Sequence, residues 1–83
     1  MYQIIIEKPA EKFLKKLDKS VQKRIIGRIK ELQLNPRTGL PLIGNLSGLW
    51  KLRVGDYRVI YQIKNEELVI LVLKIGHRKN IYD

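Results

Sequence analysis

The segment from residue 49 to residue 64 constrains the fold of this chain more than any other part of the sequence. Two runs of mostly alternating character, Leu49–Val54 and Tyr57–Lys64, flank the dipeptide Gly55-Asp56. A two-residue connection of this kind between alternating runs is typical of a tight β-hairpin. The length of the turn also sets the register, and it places Arg53 directly opposite Arg58. The sequence therefore predicts two antiparallel strands that carry a facing pair of arginines.

The two faces of this hairpin differ in chemistry. A period of two puts the apolar and aromatic residues on one face, which should pack on the helices: Trp50, Leu52, Val54, Tyr57, Val59 and Tyr61. The other face carries the polar and basic residues Lys51, Arg53, Arg58 and Gln62. Two arginines that face each other repel, and a bound anion would remove that repulsion. The pattern favours an anion site on this face, and the alternative is an arginine pair that solvent screens.

The remaining segments predict a small α+β domain. The run Tyr2–Glu7 indicates a strand, and two groups of apolar residues at helical spacing then predict a helical hairpin: Ala10, Phe13, Leu14 and Leu17, then Val21, Ile25, Ile26, Ile29 and Leu32. Asp18 or Ser20 can cap the second helix. The segment 37–48, rich in glycine and proline, predicts a loop. A third strand over 67–75, apolar on both faces, completes a three-strand antiparallel meander, so we expect helices packed on a mainly antiparallel sheet.

Length and composition exclude most enzyme classes. The chain has 83 residues, so we expect one domain over 1–83, too short for a Rossmann domain or a TIM barrel. It has no cysteine and one histidine, which excludes a disulfide scaffold and a thiolate nucleophile, and we expect no metal and no cofactor. The sequence contains no apolar run long enough for a membrane span and no signal-peptide pattern, so we expect a cytoplasmic protein. A formal charge of +9, from 17 Lys and Arg against 8 Asp and Glu, indicates a polyanionic partner.

The C-terminal segment concentrates reactive side chains. Imidazole, guanidinium, ammonium and phenol groups follow Gly76 within a few residues, at His77, Arg78, Lys79 and Tyr82. Metal-independent cleavage of RNA needs preorganised cations around the phosphate and groups that move protons. The chain can supply those cations from Lys51, Arg53, Arg58 and Arg78. His77 can move a proton, and so can Tyr82, since neighbouring cations favour its phenolate form. The alternative for this segment is an unstructured polar tail.

Two motifs in these segments resemble the RelE branch of the RelE/ParE toxin superfamily. The first, Leu-Arg-x-Gly-x-Tyr-Arg-x-x-Tyr, ends at Tyr61, and the second, Gly-His-Arg-Lys-x-x-Tyr, ends at Tyr82. The opening Pro-Ala-x-Lys-x-Leu-Lys-Lys-Leu also fits, so the resemblance covers essentially the whole chain. It implies a toxin of a type II toxin–antitoxin system, with an α+β fold similar to small microbial ribonucleases. It further implies a metal-independent endoribonuclease, an mRNA interferase that cleaves mRNA in the ribosomal A site.

The resemblance also implies residue roles and partners. The family's basic catalytic positions fall on Lys51, Arg58 and Arg78, its proton-transfer tyrosine falls on Tyr82, and His77 is a further catalytic candidate. We expect RNA contacts from Arg53, Lys12, Lys16, Lys23 and Lys79. The implied partners are a RelB-like antitoxin, which wraps the toxin with a helix, and the ribosome with its mRNA.

Two other functions share this fold. ParE-like relatives act on DNA gyrase and lack the nuclease residues, and an inactive homologue would only bind its antitoxin. The arginines at positions 53, 58 and 78 favour the nuclease. Leu49 stands where some RelE proteins carry a further lysine, which leaves the inactive homologue open.

Overall fold

The structure is a computed structural model that describes residues 1–79. Within these residues, two helices and five strands follow one another: β1 (Gln3–Ile6), α1 (Lys8–Lys15), α2 (Lys19–Glu31), β2 (Leu40–Pro41), β3 (Leu49–Val54), β4 (Tyr57–Lys64) and β5 (Val69–His77). Short 3₁₀ turns at Pro36–Thr38 and Gly44–Leu46 flank β2. The predicted α+β class, with a helical hairpin between the first strand and a three-strand meander, is confirmed. No helix within residues 1–79 is long and apolar enough to cross a membrane.

The strands form one mixed sheet in the order β1-β5-β4-β3-β2. Strand β1 pairs in parallel with β5, and the other neighbours are antiparallel. The predicted hairpin register is confirmed, with Arg53 opposite Arg58 and Val54 opposite Tyr57. The turn at Gly55-Asp56 therefore aligns the two strands as its length predicts.

Both helices pack on one face of the sheet, and the core lies between these two layers. Helical stripes and inward-facing strand residues meet in one cluster: Ala10, Leu14, Ile25, Ile29, Leu32, Leu52, Val54, Val59, Tyr61, Ile70, Val72 and Ile75. Asp18, one of the two predicted caps, is the N-cap residue of α2, but its side chain makes no capping hydrogen bond. The Gln22 side-chain amide instead donates to the Leu17 carbonyl oxygen at 2.8 Å and ties the helix to the preceding turn.

The predicted loop over 37–48 contains a strand that the sequence pattern missed. Leu40 pairs with Lys51, and Pro41 pairs with Trp50. Two residues are too few for a periodic signal, and proline is typical of an edge strand, where no further ladder bond is needed. The loop is therefore fastened to the edge of the sheet beside the basic residues of β3.

A β-bulge in β5 changes which face its last residues occupy. Tyr61 pairs with Val72, whereas the preceding residue, Ile60, pairs with Lys74. Leu73 is the extra residue, and strict alternation breaks there. Ile75 consequently joins the core cluster on the helix side, while Lys74 shares the opposite face with Ile60.

Candidate functional site

A cavity of about 240 Å³ opens at the β3 edge of the sheet, and its lining is basic. Five parts of the chain contribute to it, namely α2, the segment before β2, β2 itself, β3 and β4, through Arg28, Thr38, Gly39, Leu40, Lys51, Leu52, Arg53 and Arg58. Four of these side chains are cations, and none is an acid. Three of the four residues on the predicted basic face, Lys51, Arg53 and Arg58, line this cavity, and Gln62 does not. Anion binding at this face stays a prediction.

Arg58 is the most deeply placed of these cations. It is only 8% exposed and is the one charged residue in the buried set within residues 1–79. Its guanidinium donates to the carbonyl oxygens of Tyr57, at 3.2 Å, and Gly55, at 3.4 Å. Arg53 faces it on one side and Gly76 on the other. A guanidinium held in this way is a preorganised donor, the arrangement that stabilises developing negative charge.

Lys51 and Lys74 lie in one row across the sheet. Lys51 is half-buried and pairs with Leu40 and Ile60, and Ile60 pairs in turn with Lys74. Since adjacent strands are about 4.8 Å apart, the two lysine backbones are separated by roughly 10 Å. Sequence analysis missed Lys74, because only the bulge brings it to this face.

The other predicted basic residues do not belong to the cavity lining. The Arg78 backbone N–H donates to the Asp56 carbonyl oxygen at 2.8 Å. Since Asp56 precedes Arg58 by two residues, this bond places Arg78 beside the β3–β4 turn and close to Arg58 along the sheet. Lys79 is exposed and follows it. The helix lysines Lys12, Lys16 and Lys23 are exposed and do not line the cavity. Tyr82 lies outside the described residues.

His77 lies on the helix side of the sheet. Its ring packs edge-to-face against Tyr57 at 5.7 Å, and Tyr57 contacts Phe13 in the same manner at 6.1 Å. The Lys79 backbone N–H donates to its Nδ1 at 3.4 Å. The structure therefore does not bring His77 together with Lys51, Arg53 and Arg58, and its part in catalysis stays a prediction.

The hydroxyl of Tyr61 holds the loop before β2, which forms one wall of the cavity. It donates to the Pro36 carbonyl oxygen at 2.7 Å and accepts from the Gly39 N–H at 3.1 Å. Burial raises the pKa of Tyr61, and the hydrogen bond from Gly39 opposes that rise in part. Gly39 itself allows a close approach, because a Cβ there would lie 2.6 Å from the Lys51 carbonyl oxygen. Alternation placed Tyr61 in the core but carried no signal for this second role.

Arg28 is the second cation that sequence analysis missed. Its Nε lies 3.2 Å from Glu31 Oε1, and one terminal nitrogen donates to the Arg53 carbonyl oxygen at 3.1 Å. On the sequence it is one of many basic residues on the polar side of a helix. Only the packing of α2 against the hairpin distinguishes it.

Comparison with known proteins agrees with this architecture. Residues 4–82 match the family model of the ParE toxin of the type II toxin–antitoxin system parDE. A RelE-like toxin protein of Escherichia coli is 30% identical over 80 residues, covering 94% of this chain and 84% of that protein. The RelBE2 toxin–antitoxin complex of Mycobacterium tuberculosis superposes with a TM-score of 0.84 and 29% identity over 93% of this chain and 98% of that one.

An archaeal RelE–RelB complex from Pyrococcus horikoshii is also similar, with a TM-score of 0.78 and 31% identity over 96% of this chain and 98% of that one. The family match over residues 4–82 and the similarity to these structures point the same way. The chain belongs to the ParE toxin family, within the RelE/ParE superfamily of type II toxin–antitoxin toxins.

Proposed function

We propose that this toxin is a metal-independent endoribonuclease that cleaves mRNA in the ribosomal A site and thereby stops translation. The observation that carries the proposal is the cavity at the β3 edge, where the lining contributed by residues 1–79 has four cations and no carboxylate. Carboxylate oxygens are the usual protein ligands of Mg²⁺, so this lining suits a phosphate held directly by the protein. Arg53 and Arg58 face each other there, and arginine is a residue type well suited to binding phosphate.

The chemistry that suits this lining is attack by the neighbouring 2′-hydroxyl. The 2′ oxygen forms a bond to phosphorus, and the bond from phosphorus to the 5′ oxygen breaks. One proton leaves the 2′-hydroxyl, and another is delivered to the departing 5′ oxygen. The products are a 2′,3′-cyclic phosphate and a free 5′-hydroxyl. Negative charge grows on the phosphoryl oxygens in between, and this is where the buried Arg58 guanidinium acts.

The remaining predicted residues take supporting roles in this proposal. Arg78, beside the turn at Asp56, adds a cation from the β5 side. Lys51 can protonate the leaving oxygen, and Tyr82 or His77 can take part in the other proton transfer. The exposed helix lysines contact ribosomal RNA phosphates, which are abundant around the A site.

We also propose a RelB-like antitoxin as the partner of this chain. The structures that it resembles include toxin–antitoxin complexes named RelBE and RelE–RelB. A helix with alternating acidic and aliphatic residues would complement the basic sheet face, which also exposes Ile5. Complementary charge of this kind makes association fast and sensitive to salt. The site of action would be the cytoplasm, where the mRNA is translated.

The test is cleavage of ribosome-bound mRNA by the purified toxin, with the product ends mapped chemically. We expect a 2′,3′-cyclic or 3′-phosphate end, strong loss of cutting in Lys51→Gln, and near-normal cutting in Lys64→Gln. Lys64 is a matched control, because it lies on the same sheet face in β4 but outside the cavity lining. A 5′-phosphate product would contradict the mechanism.

The ParE name of the family model makes a gyrase assay the second arm of this test. Inhibition of gyrase-driven supercoiling without mRNA cleavage would replace the nuclease by a gyrase-directed toxin. Inactivity in both assays, together with antitoxin binding, would identify an inactive homologue.

A further inference from the structure

Arg28 reaches from α2 across the open edge of the sheet to the basic cavity. Strand β2 pairs only with Trp50 and Lys51, so among residues 1–79 the second half of β3 has a neighbouring strand, β4, on one side and none on its outer edge. Arg28 occupies this edge and donates to the Arg53 carbonyl oxygen at 3.1 Å, while Glu31 holds its Nε at 3.2 Å. The guanidinium is thus fixed in orientation by two contacts of different kinds.

The fixed guanidinium keeps donors for a ligand. An arginine has five N–H donors in a planar fork, and the two contacts use one at Nε and one at a terminal nitrogen. The side chain is 37% exposed, so the remaining donors are accessible at the rim of the cavity. Glu31 offsets part of the charge of Arg28, but it does not itself line the cavity.

We propose that Arg28 binds the RNA phosphate adjacent to the one held at Arg58, and so positions the strand for cleavage. This inference rests on the proposed ribonuclease function and adds a second phosphate site to it. Arg28 and Arg58 line the same cavity, one from a helix and one from the sheet. Arg53 links them, because Arg28 donates to its carbonyl oxygen and its backbone pairs with Arg58. Successive phosphates of the RNA would each meet a guanidinium, and the RNA would cross the edge of the β-sheet where β2 ends. Arg28 is a positioning residue in this scheme, since it does not contact the reacting atoms.

Arg24 provides a matched control for Arg28. It lies one helical turn earlier on α2, and its guanidinium lies over Gly55 rather than in the cavity lining. Arg24→Gln and Arg28→Gln each remove one positive charge from the same helix. A difference between the two variants therefore reports position and not net charge.

The experiment measures binding of short 2′-O-methyl RNA, which cannot be cleaved, to the full-length toxin by NMR titration. A dinucleotide has one phosphodiester, and a trinucleotide has two. We expect Arg28→Gln to weaken trinucleotide binding by roughly tenfold, the scale of one charge-assisted hydrogen-bonded contact, and to leave dinucleotide binding nearly unchanged. The salt dependence of trinucleotide binding should fall by about 0.7 in the log–log slope, the value for one single-strand phosphate contact. Arg24→Gln should change neither quantity appreciably.

Several outcomes would overturn the inference. Equal effects of Arg28→Gln and Arg24→Gln on binding would mean that Arg28 acts only through the net charge of the protein. An equal loss of affinity for the dinucleotide would place Arg28 at the first phosphate. A lowered melting temperature in Arg28→Gln with unchanged trinucleotide affinity would make it a structural clamp on β3. Absence of trinucleotide binding by the wild-type protein would also reject it.

Failure of this inference can be distinguished from failure of the proposed function. If the wild-type toxin cuts ribosome-bound mRNA but the two arginine variants bind alike, only the second phosphate site is wrong. If the toxin does not cut mRNA, the nuclease is wrong, and the oligonucleotide titration still decides whether Arg28 holds a second phosphate.

Discussion

Replacement of Tyr61 by phenylalanine tests whether one hydroxyl holds the wall of the basic cavity. The Tyr61 side chain is fully buried, so the phenylalanine ring should keep its stacking against Trp50, whose centroid lies 6.3 Å away. What the variant loses is the bond to the Pro36 carbonyl oxygen and the bond from the Gly39 N–H. The perturbation therefore removes polar contacts to the loop and leaves the apolar packing in place.

The expected loss of stability follows from the burial of the two groups that lose their partner, the Pro36 carbonyl oxygen and the Gly39 N–H. A buried polar group without a hydrogen bond costs about 1–3 kcal/mol. Pro36 and Gly39 are only half-buried, so their freed groups can reach water if the loop moves outward. We expect the free energy of unfolding to fall by about 1–2 kcal/mol, from the lower part of that range. A domain of this size loses about 4–8 °C in melting temperature per kcal/mol.

The control is Tyr57→Phe, since Tyr57 packs against Phe13 and His77 and its hydroxyl makes no hydrogen bond within residues 1–79. Thermal unfolding followed by circular dichroism gives the stability of both variants, and hydrogen exchange follows the Gly39 amide. We expect faster exchange at Gly39 in Tyr61→Phe alone, together with slower mRNA cleavage at temperatures where both variants are folded. Equal stability of the two variants within about 0.5 kcal/mol, the usual scatter for neutral substitutions, would refute the proposed anchor. Unchanged exchange at Gly39 would refute it as well.

Four further predictions concern the loop that forms one wall of the cavity and the proposed catalytic residues. Gly39→Ala should lower the melting temperature whereas Gly27→Ala should not, because a Cβ at Gly39 would lie 2.6 Å from the Lys51 carbonyl oxygen and one at Gly27 would have nothing within 4 Å. The raised pKa of Tyr61 adds stability below its unfolded value of about 10 that is lost as pH rises further, so urea unfolding should show a steeper alkaline loss in the wild type than in Tyr61→Phe. Arg78→Ala should slow single-turnover cleavage by roughly 10² or more, with a far smaller change in ribosome affinity. Tyr82→Phe should slow it by about 10²–10⁴ with unchanged binding if Tyr82 transfers a proton, and a near-normal rate would remove Tyr82 from the catalytic set.

The β3–β4 hairpin is a part of the fold that the sequence alone is sufficient to predict. Its register follows from the length of one turn, and its inner face follows from strict alternation, so the facing pair Arg53 and Arg58 could be predicted without coordinates. The helical stripes were equally clear, because Ala10 and Leu14 in α1 and Ile25 and Ile29 in α2 repeat at one-turn spacing and are buried. Local periodicity determines both results.

Arg28 and the loop wall show where sequence alone is not sufficient. Arg28 lies 25 residues from Arg53 along the chain, and only tertiary packing brings its side chain to the Arg53 carbonyl oxygen. The Tyr61 hydroxyl likewise meets Pro36 across a separation of 25 residues. Neither contact leaves a periodic pattern, because each depends on the angle between packed elements and not on the order of residues within one.

The bulge at Leu73 has the largest effect on the chemistry of the site. Counting alternate residues from Val72, which faces the core, would place Lys74 on the helix side and His77 on the side of Lys51 and Arg58. One extra residue reverses both assignments, so that Lys74 lies in the row of Lys51 and the His77 ring packs on Tyr57. The cavity face thus gains an ammonium group on β5 and loses an imidazole. Leu49 removes one family lysine from β3, and the bulge returns a lysine to the same face two strands away. For the proposed ribonuclease, this exchange favours lysine over His77 as the proton donor to the leaving 5′ oxygen, and it weakens the argument from Leu49 that the protein is inactive.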